Sequence, residues 1–140
     1  MTTRVDFITQ LTKQPDIFSD FIDDFSPHPV TGDIARLRND QSVKQSIKNL
    51  VLTGLGERPF QPLVGSTVYT SLFEPDDFIL AETIKFNIEN TINNNEPRAS
   101  LINVSVIPND ENNSISINIV FSLVNSQTPQ ILNLLLRRVR

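Results

Sequence analysis

The sequence predicts an α+β fold, an antiparallel sheet with two to three helices packed on one face. Three observations carry this. Two stretches repeat apolar residues at helical spacing before residue 95. After it, two runs alternate apolar and polar residues with a period of two. Pro97 stands where one period gives way to the other.

The chain opens on an irregular leader, and we divide it as an extended N-terminal arm over 1–38 and one α+β domain over 39–140. In the arm, Phe7, Ile8, Leu11, Ile17, Phe18, Phe21, Ile22 and Phe25 supply one face of a short helix. Pro15, Pro27 and Pro29 interrupt it. An arm folded back on its own core and an arm packed on another subunit both fit this pattern.

The first regular element begins near Asp40 or Ser42, where Ser42 and Gln45 have capping-box spacing. Val43, Ile47, Leu50 and Val51 form its buried stripe, and Gly54 and Gly56 stop it. The segment from Gly56 to Gly65 holds Pro59 and Pro62 and reads as a shaped loop. Ser66 to Phe73 suits a short helix with Val68, Leu72 and Phe73 inward. Glu74-Pro75-Asp76-Asp77 punctuates the chain, and an aspartate there can cap the next helix. That helix is expected over 77–93, with Ala81, Ile84, Ile88 and Ile92 inward.

Pro97 then ends helical structure, because it has no N–H and disfavours the α region for Glu96. On an extended chain Glu96 and Arg98 leave the same side, about 7 Å apart at their roots. Ile102, Val104 and Val106 mark the first strand, up to Pro108. Residues 109–113 form a polar turn. Ile115, Ile117, Ile119, Phe121 and Leu123 mark a half-buried strand. Pro129 is expected to close the following turn. Leu132, Leu134 and Leu136 then fall on one side of a last strand, whose edge is either protected or used.

Composition narrows the function. Twelve basic against sixteen acidic residues leave a net charge of −4, the wrong sign for a general nucleic-acid binder. Asp16, Asp20, Asp23 and Asp24 crowd one end and Arg137, Arg138 and Arg140 the other, so the two ends suit different partners. With no cysteine, the chain offers no disulfide and no thiolate ligand. No apolar run reaches a membrane span and the first residues lack a signal-peptide core, so a soluble chain is expected.

The chemistry-bearing residues are sparse. His28 is the single histidine, held between prolines, and reads as structural. A serine triad and a phosphate-cradling loop both lack their motifs. Glu57, Glu74, Asp76, Asp77, Glu82, Glu89 and Glu96 are the carboxylates available for a two-carboxylate hydrolase. The chain has no tryptophan and one tyrosine for stacking a sugar. We expect no catalytic residue, no cofactor and no metal. Glu96 and Arg98 either tie down the helix–strand corner or present a fixed charge pair to a partner, and Arg58 before Pro59 repeats that logic.

The order of these motifs resembles the T-even phage baseplate wedge family of gene 25 proteins, which includes the baseplate subunit of type VI secretion systems. The carrying residues are Val43 to Leu50, the loop Gly56-Glu57-Arg58-Pro59-Phe60-Gln61-Pro62 with Gly65, Leu72-Phe73-Glu74, and Asn95-Glu96-Pro97-Arg98. The leader Phe25 to Val30 and the ending Arg137 to Arg140 are similar to versions in marine and cyanobacterial phages. The resemblance implies a structural virion protein of the tail baseplate, assembled in the host cytoplasm, with a fold like the C-terminal domain of the contractile sheath protein. It implies docking on the helical core bundle of each wedge through Glu96, Pro97 and Arg98, with Arg58 beside them. It also implies several copies in a sixfold ring that templates the first sheath ring through edge strands. Nucleic acid and membrane are not among the implied partners. The alternatives are a regulatory adaptor of the same fold and a small peptidoglycan hydrolase, since some members carry lysozyme names that no motif here supports.

Overall fold

A computed structural model describes residues 16–72, 78–109 and 114–137. In chain order the elements are β1 (Ser19–Phe21), β2 (Arg36–Arg38), α1 (Asp40–Leu52), α2 (Val68–Ser71), α3 (Phe78–Asn95), β3 (Ala99–Asn109), β4 (Ser114–Leu123) and β5 (Ser126–Arg137). The expectations for Phe7, Ile8, Leu11, Phe73, Glu74, Asp76, Asp77, residues 110–113, Arg138 and Arg140 lie outside the described residues.

Strands β3, β4 and β5 form one antiparallel sheet with β4 in the centre. Ile115, Ile117, Ile119 and Phe121 of β4 are buried on one face, as their alternation predicts. That face meets Val43, Ile47 and Val51 of α1 and Leu80, Ile84, Ile88 and Ile92 of α3 in one continuous core. The fold is the expected α+β layer arrangement. Seven of these side chains are isoleucine, and truncating a fully buried one to alanine costs about 2–5 kcal/mol.

Several local expectations change. Leu80 takes the inward position in α3 and Ala81 is half-buried, because the buried stripe runs 80, 84, 88, 92. Ile102 is exposed, since the β3–β4 register slips between Leu101 and Asn103. A bulge of this kind turns one residue out of the alternation, so Leu101 and Val104 both face the core. The β4–β5 turn is at Val124-Asn125, and Pro129 lies within β5, opposite Ser122. Proline is tolerated there because β5 is an edge strand. Leu132, Leu134 and Leu136 do share a side, packed against the core.

The leader holds a strand where a short helix is expected. β1 pairs antiparallel with β2, and the connection is closed by a Pro27–Ile34 bridge. Pro27 and Pro29 make a helix here costly, and the chain takes an extended path that proline permits. His28 Nδ1 accepts hydrogen bonds from the Val30 and Thr31 amides, so this histidine shapes the ribbon's turn. Phe18 packs against the main core.

Candidate functional site

The ribbon is fastened to α1 by the residues expected to cap that helix. Ser42 Oγ donates to Asp20 Oδ2 at 2.5 Å. Gln45 Nε2 donates to the Phe21 carbonyl at 2.8 Å, and its Oε1 accepts from the Asp23 amide. Ser42 and Gln45 therefore grip a neighbouring segment, and no capping box forms. Asn39 stands at the N-cap position with φ of 47°. Its Oδ1 accepts from the Ile17 and Phe18 amides, a further tie to the ribbon.

The Glu96-Pro97-Arg98 corner is a turn. The Ile92 carbonyl accepts from the Glu96 amide, so the helical ladder runs to Glu96. The Glu96 carbonyl then accepts from the Ala99 amide across Pro97 and Arg98. Proline favours the second position of such a turn, where its fixed φ is already correct. The turn folds Arg98 back on Glu96, in place of the parallel projection expected from strand geometry. Arg98 donates from Nε to Glu96 Oε1 at 2.7 Å and from Nη2 to Oε2 at 3.0 Å. Its Nη1 reaches Asp20 Oδ2 at 2.9 Å. Ser46 Oγ of α1 donates to Glu96 Oε2. Phe18 lies under the guanidinium, 5.7 Å from its carbon.

Burial separates the three residues of the corner. Glu96 is only 3% exposed, the Arg98 side chain is 26% exposed, and Pro97 is open to solvent. Burial pushes the Glu96 carboxyl up, but the hydrogen bonds and charge of Arg98 and the Ser46 hydroxyl outweigh it and hold it below its usual value. The Ser42 hydroxyl, with Arg98, likewise lowers Asp20 against a smaller opposing effect of burial. Glu96 raises the Arg98 pKa further, so that guanidinium is permanently charged.

Arg58 is exposed in the 56–65 loop. A groove of about 960 Å³ lies between that loop, α1 and the end of α3. Its lining includes Arg58, Asn49, Asn95, Ser46 and Asp20. The structure thus brings Arg58 to the same groove as Ser46 and Asp20, the direct partners of Glu96 and Arg98. The sequence alone gave no sign of Ser42 or Ser46 in this role. The acidic crowding around Asp20 was visible, but not its partner. Among the described residues, no three histidine or acidic side chains gather as a metal site. No helix among them is long and apolar enough to cross a membrane.

Comparison with known proteins places this geometry. A chain of the anti-feeding prophage baseplate shares the fold with a TM-score of 0.60 at 22% identity, covering 87% of each chain. A putative tail lysozyme from Geobacter sulfurreducens does so with a TM-score of 0.57 at 20% identity, covering 70% of this chain and 91% of the other. Baseplate wedge protein gp25 of Enterobacteria phage T4 is 33% identical over 94 residues, 67% of this chain and 71% of that protein. Residues 37–128 match the family described as baseplate wedge protein gp25. With two-thirds of its length matched, and with Glu96, Pro97, Arg98 and Arg58 inside that span, the chain belongs to the baseplate wedge protein gp25 family of contractile-tail virion proteins.

Proposed function

We propose that this chain is a non-enzymatic wedge subunit that docks on the helical core bundle of the wedge and templates the first sheath ring, in several copies around a sixfold baseplate. Docking uses Pro97 and Arg98 at the surface, with Arg58 across the groove. Glu96 acts through Arg98: it is too buried to meet a partner and instead fixes the guanidinium. The observation that carries this reading is the state of Arg98. It is charged, held by two carboxylates, and still a quarter exposed beside an open proline. A side chain ordered before binding loses little entropy on docking. In this reading residues 39–140 are the docking domain, and the arm before them clasps it.

The hydrolase reading is weaker. A two-carboxylate hydrolase needs one acid whose pKa is raised. Glu96, the buried carboxylate among the described residues, is shifted the other way and paired with arginine.

The test is Arg98→Lys, which keeps the charge and loses the planar fork. Binding to the wedge core-bundle proteins is expected to weaken about tenfold, with the domain still folded, as one charge-assisted hydrogen bond is worth roughly 1.5–3 kcal/mol. Unchanged binding by the folded variant would count against the corner as the docking element.

A further inference from the structure

The loop between Gly56 and Gly65 carries a feature that the corner does not explain. The Arg58 carbonyl accepts from the Gln61 amide at 3.2 Å, closing a four-residue turn with Pro59 second and Phe60 third. Phe60 has a φ of 65°. Proline second with a positive φ third is the type II turn, whose third position favours glycine or asparagine. A phenylalanine there is strained, since its Cβ crowds the backbone. Burial against the described residues does not offset that strain, because Phe60 is 102% exposed.

The loop around it is stiff. The Gly56 amide donates to the Pro62 carbonyl at 2.9 Å, and the Gly54 amide donates to Glu57 Oε2 at 2.8 Å. At its far end Gly65 has a φ of 139°, and a side chain there would sit 2.7 Å from the Thr53 carbonyl oxygen. The loop is therefore pinned at its base with a fixed apolar tip. Leu63 is exposed on the same loop, at 86%, and Leu55 just before it, at 51%. Arg58 is exposed two residues before the ring, while the neighbouring acid, Glu57, is turned back on Gly54.

We propose that Phe60 is a second docking anchor, a knob that enters an apolar pocket rimmed by carboxylate on another wedge protein. It rests on the wedge-subunit reading above and shares Arg58 with that docking surface, but its anchor is the loop tip and not the corner. Strain kept without internal return marks functional sites. A rigid aromatic beside an arginine is the chemistry of an interface hot spot. Charge complementarity selects the pocket: Arg58 supplies the positive flank, so the rim is acidic. A lipid surface suits this tip less well, because a chain of net charge −4 is repelled by anionic headgroups.

The experiment compares the full-length chain with Phe60→Gly, Phe60→Leu and Arg98→Lys. It reads thermal stability, and binding to the core-bundle proteins of the same wedge. Phe60→Gly relieves the turn, so its melting temperature is expected to stay level or rise. Its affinity is expected to fall about 30-fold, the scale of a hot-spot residue, and Phe60→Leu to restore part of it. Unchanged affinity in Phe60→Gly, with Arg98→Lys weakened, overturns the knob and leaves the corner standing. Unchanged affinity in both overturns both. A melting temperature that falls together with affinity makes Phe60 a structural residue and also overturns the proposal. So does flotation with phosphatidylglycerol vesicles that Phe60→Gly abolishes, which would make the tip a membrane contact.

Discussion

Arg98 and Asp20 stand 78 residues apart and meet at 2.9 Å. Their bond joins the leader ribbon to the turn between α3 and the sheet. The family match begins at residue 37, so Asp20 lies outside it while Arg98 lies within. A residue from the leader thus completes the setting of an arginine in the wedge domain.

The first prediction concerns the buried half of that setting. Arg98→Ala leaves the Glu96 carboxylate desolvated, with only the Ser46 hydroxyl and the residue-98 amide as donors among the described residues. Removing one partner of a buried pair costs roughly 3–5 kcal/mol. We place the loss near the lower figure, because Arg98 is partly solvated. Adding Glu96→Gln to Arg98→Ala should recover part of it, since no charge is then stranded. Urea denaturation of the three proteins checks this. A loss under about 1 kcal/mol for Arg98→Ala would show that Glu96 does not depend on the arginine.

The second prediction is the acid limb of stability. Glu96 is lowered from 4.5, with Arg98 and Ser46 outweighing burial, and Asp20 is lowered from 3.8, mainly by Ser42 and then Arg98. A carboxylate depressed in the folded state contributes stability that is complete above its unfolded value and lost as pH falls. Stability should therefore hold down to pH 4.5, then erode through 3.8 and below, as the unfolded chain takes up protons first. Glu96→Gln should flatten the upper part of that slope. Urea midpoints measured across this range give the answer, and equal slopes in both proteins would remove Glu96 from the linkage.

The third prediction isolates the ribbon. Asp20→Ala removes the acceptor for Ser42 and Arg98 but leaves the Gln45 and Asn39 ties. The global loss should be about 1–2 kcal/mol, the scale of hydrogen bonds to a charged group. The local effect should be larger than in the sheet. Amide exchange at Ile22 and Ala35, which bond across the ribbon, should quicken about tenfold while that of β4 changes little. Equal acceleration in β4 would mean that the ribbon and sheet open together.

The division between what could and could not be read from residues follows from range. The stripes of α1 and α3 and the alternation of β4 are local, so period alone locates them. The Ile102 bulge and the placement of Pro129 depend on register with β4, which no single run encodes. The stop at Pro97 was legible for the same local reason, and the turn it makes was not. Whether Glu96 points to solvent depends on Ser46, fifty residues earlier, and on Asp20 in the leader. A capping-box spacing at Ser42 and Gln45 was true to pattern and wrong in outcome, because both side chains found better partners in the ribbon.

The last prediction addresses the free edge of β5. Pro129 pairs with Ser122 yet has no N–H, so that pair cannot exchange two hydrogen bonds. The backbone groups of Pro129 therefore point away from β4. The register runs without a shift from Ser122–Pro129 to Ser114–Arg137. Residues two apart share a direction, so the N–H groups of Ile131, Asn133 and Leu135 also point to the open edge. Their side chains are exposed too, so among the described residues the row is uncovered, and the proposed sheath contact would add a strand here. Deleting the end of the chain would be a poor test, because Leu132, Leu134 and Leu136 pack on the core. Asn133→Pro removes one outward N–H and leaves the β4 ladder intact. It should cost about 1 kcal/mol of stability, as proline is tolerated on edge strands. Sheath growth on baseplates carrying Asn133→Pro should fail, while Asn133→Ala, which keeps the N–H, should allow it. Electron micrographs of the assembled tails decide: full sheaths on the proline variant would mean that growth starts from another edge or another protein.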